Sequence, residues 1–204
     1  TEISDLIKRH GGRVIMTSNK HLNGTSRVAE AVKIIDCSHV ILLQGDEPLI
    51  LPNQLHVFID KIKTDPKNDS WNATGKIENN EDLNKYSIVK CIVSENGNVL
   101  KCFRYYKNLP EADKKNLIIR KILGIIAYRR DFLEKINSKP ESKTEKKELI
   151  EQMRIIENGF KLISVPLTPT LPSVNEPNEV KIVENYISQN IEQKKILNSI
   201  LKSQ

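Results

Sequence analysis

The sequence predicts an α/β protein with a mostly parallel sheet flanked by helices, on three observations. Helical and strand-like segments alternate between residues 2 and 63, an order that implies strands joined by right-handed crossovers. The continuous apolar run VILLQ (40–44), closed by Gly45 and Pro48, has the pattern of an inner strand covered on both faces. The 204 residues are 38% hydrophobic, enough for one substantial core.

The first element is a helix carrying Ile3, Leu6 and Ile7, stopped by Gly11-Gly12. RVIMT (13–17) reads as a short strand, SNKHLNG as a loop, and 26–35 as a helix with Val28, Val32 and Ile35 on one face. After VILLQ, Pro52-Asn53 opens a helix lined by Leu55, Phe58, Ile59 and Ile62. A loop at 64–70 leads to the strand WNATGKI and a short helix or turn, NNEDLNKY. Residues 88–103 read as a hairpin turning on the pair Asn96-Gly97, which makes Cys91 face Cys102. A polar stretch (105–116), the apolar run LIIRKILGIIAYR (117–129), the helix RDFLEKI and a lysine-rich loop (138–147) follow. KKELIEQMRIIENG (146–159) reads as one helix with Leu149, Met153 and Ile156 on one face and Gly159 as its stop. FKLISVPL is a strand, and the tail from 178 is an amphipathic helix carrying Val180, Val183, Ile187 and Ile191. The expected organisation is a single domain over 1–204, with an antiparallel insertion at 85–130 and a C-terminal helix at 178–204.

The formal charge is +6, but the lysines are dispersed, only 5% of residues are aromatic, and no nucleic-acid motif is present. A nucleic-acid partner is not expected, whereas a basic balance suits an enzyme that handles phosphates. No window has the apolar length of a membrane span, and the N-terminal TEISDLIKRHGG lacks the order of a signal peptide. The expected location is the cytoplasm. Cys37, Cys91 and Cys102 have no metal-type spacing. Cys91 and Cys102 are expected as two buried thiols beside Val89, Val93 and Leu100 rather than as a disulfide.

Chemistry concentrates at QGDEP (44–48). A carboxylate just past the last residue of a strand is held by the sheet, and can keep Mg²⁺ in near-octahedral order with phosphate oxygens as further ligands. Spacing alone leaves a second reading open, in which Asp46 or Glu47 caps the helix beginning near Pro52 or solvates a turn.

GGRVIMTSNKHLNGTSRVAEA, VILLQGDEPLI, ILGIIAYRRDFL, ELIEQMRIIENG and SVNEPNEV resemble, in the same order, successive blocks of the 3-deoxy-manno-octulosonate (Kdo) cytidylyltransferases. The resemblance covers nearly the whole chain. It implies a Rossmann-like α/β domain, CTP and Mg²⁺, a homodimer, and an activated sugar for bacterial lipopolysaccharide or capsule. The implied reaction is attack by the anomeric hydroxyl of a sugar acid on the α-phosphate of CTP, with pyrophosphate leaving. Residue by residue, Asp46 matches the metal-binding Asp, and Gln44 a Gln that reaches the ligands. Gly24, Thr25 and Arg27 match a nucleotide-contact loop, where a helix N-terminus can face an anion; an ordinary capped helix is the other reading. Lys90 and Arg104 match basic positions that meet the sugar carboxylate or phosphate, or are solvated strand charges. Glu151 and Gln152 match a sugar-contacting pair, or are polar positions on an amphipathic helix. His21 has a counterpart too, but a loop histidine is more often a local hydrogen-bonding residue.

Three departures from the family pattern carry expectations of their own. The family's first strand and its basic, glycine-bearing triphosphate loop have no counterpart in these residues, so this polypeptide alone is expected not to turn over CTP. Asn175 stands where the family usually has a second metal-binding Asp, and a neutral carbonyl is the weaker Mg²⁺ ligand. Ile122 and Ile126 stand where a His and a Tyr commonly face the sugar, which suggests a related eight- or nine-carbon sugar acid. Two alternatives remain: a catalytically silent homologue kept as a dimerisation or binding module, and a sialate- or legionaminate-type cytidylyltransferase.

Overall fold

One long strand organises the molecule, whose computed structural model describes residues 1–111 and 117–202. β5 (Ile118–Arg129) is rich in β-branched isoleucine and pairs along one edge with β2 (Ser70–Gly75). Its other edge is shared. β3 (Lys90–Val93) covers residues 118–121, and β1 (His39–Leu43) covers 125–129. β4 (Val99–Phe103) and β6 (Ile163–Pro166) complete a six-stranded sheet of order β4-β3-β5-β2-β6, with β1 on β5.

The α/β class is as expected, but the pairing is not mostly parallel. Among the described strands only β2 with β6 pairs in parallel; β1, β2 and β3 all run antiparallel to β5. β5 enters between strands of a common direction and so separates them. Residues 85–130 are therefore no separate insertion, because β5 is the strand on which the rest of the sheet is built. Nor is β1 covered on both faces: Leu42 is buried, while Ile41 and Leu43 are 37% and 44% exposed.

Between Asn72↔Ile126 and Thr74↔Ile122, a single β2 residue faces three of β5. β5 thus bulges at Leu123-Gly124-Ile125, as isolated strand glycines often signal. The Asn72 side chain replaces the missing ladder bond, its Nδ2 donating to Leu123 O at 3.0 Å and to Ala73 O at 2.8 Å.

Cys91 does face Cys102, and both are buried free thiols. The turn differs from the expected two-residue one. Ser94 N donates to Asn98 O at 2.8 Å, closing a three-residue loop with Gly97 at φ 80°. The register shifts between Ile92 and Val93, which leaves Leu100 unpaired and exposed rather than packed beside the thiols. Beyond the turn, Val99 N donates to Leu162 O and Ser164 N to Gly97 O, each at 2.8 Å. The two outermost strands of the sheet, β4 and β6, therefore touch at one corner.

Helices cover both faces. α2 (Gly24–Ala31), α4 (Arg130–Asn137) and α6 (Gln152–Glu157) pack Ala29, Phe132, Leu133 and Ile155 against Leu42, Ile126 and Tyr128. α3 (Pro52–Lys63) packs Phe58 and Ile62 on the opposite face against Trp71, Ile125 and Ala127. The alternation of 125–128 between the two clusters is the period of a strand. Phe58 and Trp71 are fully buried, and truncating either to Ala should cost about 3–5 kcal/mol.

Other expectations are corrected. Residues 13–17 form no strand, and α1 (Glu2–Arg9) leaves Ile3, Leu6 and Ile7 exposed. The single helix expected over 146–159 is two. A Ser142–Glu145 capping box starts α5 (Lys143–Glu148) early, and the chain then breaks at Leu149, whose left-handed φ of 54° leaves its side chain 73% exposed. The tail likewise divides into α7 (Val180–Gln189) and α8 (Ile191–Lys202), because the Asn190 side chain accepts from Gln193 N and starts a new helix. Part of the polar stretch 105–116 lies outside the described residues.

Candidate active site

The uncovered stretch of β5 is the floor of the main cleft. β1 ends at Leu43↔Ile125 and β3 begins at Lys90↔Lys121, so no strand covers that edge at 122–124. A cleft of about 610 Å³ opens there. The turn Gln44–Glu47 bridges its rim: Gln44 N donates to Gly124 O at 2.8 Å, and Gly124 N donates to Glu47 Oε1 at 2.7 Å. A Cβ on residue 124 would lie 2.9 Å from Glu47 Cγ and 3.0 Å from Gln44 Oε1, so the close approach requires glycine. The helix-capping reading of the acids is excluded, because Leu51 N at the start of α3 donates to Gln54 Oε1 instead.

Asp46 lines the cleft, and its Oδ1 is buried without a hydrogen-bond partner. Burial raises the Asp46 pKa, with its own backbone N–H and the charge of Lys121 opposing. Burial likewise raises that of Glu47, against the Gly124 N–H and Lys121. A carboxylate that lines a cleft and keeps one oxygen without a donor suits a hard divalent cation. Asn175 lines the same cleft and is brought beside Asp46 where Val174 N donates to Asp46 O at 2.9 Å. Its Nδ2 donates to Ser173 Oγ and Glu179 Oε2, which leaves Oδ1 as the end able to reach an ion. Among the described residues no three His, Cys, Asp or Glu side chains form a metal cage.

Gln44, Gly24, Arg104, Glu151 and Gln152 all line the cleft, as their sequence positions suggested. Arg104 is partly committed: its Nε, Nη1 and Nη2 donate to the carbonyls of Glu148, Tyr86 and Leu149 at 3.0, 2.9 and 3.1 Å. The guanidinium also lies over the Tyr86 ring, and two of its five N–H groups remain for a ligand.

Three expected site residues are not in the cleft. Lys90 is fully buried, and its ammonium donates to the carbonyls of Lys85 at 2.8 Å, of Ile88 at 2.7 Å, and of Arg104. All three donors are used inside the protein. Burial, with the Arg104 charge added, lowers its pKa to about 8. Thr25 is buried with its hydroxyl on Tyr128 OH at 2.8 Å, and its N–H donates to Glu151 Oε2 at 3.1 Å. The anion at that helix N-terminus is thus the protein's own. Arg27 turns outward to Thr17 Oγ1 and Ser18 O. His21 pairs locally with Glu30 at 2.5 Å. Of the two departures from the sugar-facing pattern, Ile122 lines the cleft, but Ile126 is buried in the core.

Sequence reasoning missed Lys121, Gly124, Glu145 and Arg154. Lys121 lines the cleft, and among the described residues its ammonium has no hydrogen bond or ion pair. Arg154 donates to Glu145 at 2.7 and 2.6 Å, and Glu145 accepts from Asn23 Nδ2 at 3.2 Å. That buried pair fixes the helical wall of the cleft and has no local signature in the sequence.

The fold and this cleft define the class, an α/β nucleotidyltransferase, and a cytidylyltransferase family profile matches residues 1–163. The chain is 30% identical to the 3-deoxy-manno-octulosonate cytidylyltransferase of Chlorobium limicola over 91% of its own length and 76% of that protein. It is 32% identical to that of Fusobacterium nucleatum, over 88% and 74%. A solved CMP:2-keto-3-deoxy-manno-octonic acid synthetase, complexed with CTP, superposes with a TM-score of 0.81 at 29% identity over 92% of this chain and 77% of that one. HddC from Yersinia pseudotuberculosis, at 13% identity and a TM-score of 0.60, shares the fold alone. The chain belongs to the 3-deoxy-manno-octulosonate cytidylyltransferase family.

Proposed function

We propose that this site transfers CMP from CTP to the anomeric hydroxyl of 3-deoxy-manno-octulosonate, or a closely related sugar acid, with Mg²⁺. The observation that carries the reading is the Asp46 carboxylate at the strand end, which keeps one oxygen unpartnered and lines the same cleft as Asn175. The sugar hydroxyl forms a bond to the α-phosphorus as the bond to pyrophosphate breaks, and the hydroxyl proton passes to solvent. Asp46 and Asn175 would hold the ion, which when bound neutralises charge on the triphosphate. Gln44 and the carboxylate-bearing turn are held rigidly by Gly124. Glu151 and Gln152 orient the sugar, and Lys121 and the remaining Arg104 N–H groups meet anionic groups. Most of the rate would come from positioning and electrostatics rather than from a reactive side chain.

The same reading includes a homodimer, a cytoplasmic location and a product destined for bacterial surface polysaccharide. Among the described residues no helix is long and apolar enough to cross a membrane. The test is pyrophosphate release from CTP by the product of the whole reading frame, with and without Mg²⁺ and across a panel of sugar acids. CMP-sugar formation that needs both Mg²⁺ and a Kdo-type acid is the expected result. CTP left intact with every acid in the panel would refute the reading.

A further inference from the structure

The orientation of one cleft amide can be deduced from backbone atoms far from it. Asn72 on β2 is fully buried. Its amide faces two carbonyls, Leu123 O at 3.0 Å and Ala73 O at 2.8 Å. A carbonyl only accepts, so the end of Asn72 that meets these atoms must be the NH₂ group. Its oxygen then points the other way, toward Gln152 at 3.0 Å. That oxygen also only accepts, so Gln152 must present its own NH₂ group to Asn72. By elimination the Gln152 carbonyl oxygen is the free end. No protein donor meets it among the described residues, and it is not among the buried side-chain atoms left without a partner.

The bulge at Gly124 is what starts this relay, because it prevents Leu123 O from pairing with β2 and leaves it for Asn72. Gln152 lines the cleft on the same wall as Glu151, whose Oε2 is held by Thr25 N at 3.1 Å. Neighbouring side chains on that wall thus offer acceptors.

We propose that Asn72 is a positioning residue that fixes the Gln152 amide with its oxygen toward the cleft, so that this wall recognises a hydroxyl of the acceptor sugar as a hydrogen-bond donor. The proposal rests on the reading that the cleft takes a sugar acid. It adds a direction to the recognition: an acceptor sugar lacking that hydroxyl, or carrying a pure acceptor in its place, leaves Gln152 Oε1 without a donor. A randomly oriented amide would tolerate either.

The experiment measures direct binding of 3-deoxy-manno-octulosonate and, separately, of CTP by calorimetry, independently of turnover. Asn72→Ala should weaken sugar-acid binding about tenfold, the scale of one buried hydrogen bond made or lost, and leave CTP binding within about twofold. Against a panel of monodeoxy sugar acids, the analogue lacking the recognised hydroxyl should bind the wild type and the variant alike. If Asn72→Ala does not fold, Gln152→Met keeps the bulge intact and should show the same loss, confined to the sugar acid. Unchanged sugar-acid binding in the folded variant, equal losses for both ligands, or no sugar-acid binding by the wild type would overturn the proposal. Pyrophosphate release reports on the transferase reading separately, so the two can fail independently.

Discussion

Replacing Gly124 with alanine tests whether the strand-end turn is held by a contact that admits no side chain. The added methyl would meet Glu47 Cγ at 2.9 Å, Gln44 Oε1 at 3.0 Å and Gln44 Cβ at 3.1 Å. Two of these atoms lie near the root of their side chains, so they cannot swing aside as a flexible tip would. Relief requires moving the turn, which strains the 2.7 Å bond from Gly124 N to Glu47 and the 2.8 Å bond from Gln44 N to Gly124 O. Overpacking of this kind costs about 1–3 kcal/mol, and for a chain of this size about 2–4 °C of melting temperature per kcal/mol. The expected drop is therefore about 2–12 °C, together with loss of CTP binding. Gly45→Ala, in the same turn, is the control: a methyl added there meets nothing within 4 Å, and its effect should stay within about 0.5 kcal/mol. Thermal melts of both variants decide the matter. A Gly124→Ala protein that melts with the wild type and still binds CTP would refute the reasoning.

Further expectations concern the charged groups. Burial raises the Asp46 pKa, so its contribution to stability is present while it is protonated and is lost as pH rises through the folded-state value. In metal-free buffer, Asp46→Asn should gain stability relative to the wild type as pH rises from about 4 to 7; melting curves at several pH values check this, and no widening would count against a desolvated carboxylate. Lys90→Met leaves three carbonyls without their donor and should cost about 2–4 kcal/mol in denaturant titrations, while CTP binding by the folded protein is unchanged. In the product of the whole reading frame, Asn175→Asp should lower the Mg²⁺ concentration that gives half-maximal activity, because a carboxylate binds the ion better than an amide oxygen. A magnesium titration of both proteins gives the answer, and identical midpoints would remove Asn175 from the metal site.

How much of this was legible in the sequence depended on how local the cause was. The pairing of Cys91 with Cys102 follows from a glycine turn and alternation within a few residues, although the bulged Leu100 shows that the same register can be reached by a different turn. QGDEP was readable because an apolar run ending in paired acids at a Gly-Pro boundary is a local pattern, and the structure does put Asp46 in the cleft with Asn175. The fates of Lys90, Thr25 and Arg27 were not readable. A lysine on a strand looks the same in sequence whether its ammonium meets a phosphate or three carbonyls, and the partner at the N-terminus of α2 is Glu151, from a distant part of the chain. The direction of the sheet was misread for a related reason. Alternation of helices and strands fixes the neighbours along the chain, whereas β5, from later in the sequence, lies between β1 and β2, which are joined through α3. Gly124 was the missed signal that could have been used, since a lone glycine within an isoleucine-rich strand marks a bulge or a close approach.

The corner where the hairpin turn meets β6 has a consequence for the lifetime of the sheet. With Gly97 and Val99 bonded to Ser164 and Leu162, the strands β4, β3, β5, β2 and β6 form a closed circuit of backbone links rather than an open ribbon with two loose margins. Marginal amides in such a circuit open only when a neighbouring link opens too, so those of Val99 and Ser164 should exchange with solvent about as slowly as amides in the middle of β5. At that corner the sheet offers no bare backbone on which a second chain could begin to stack.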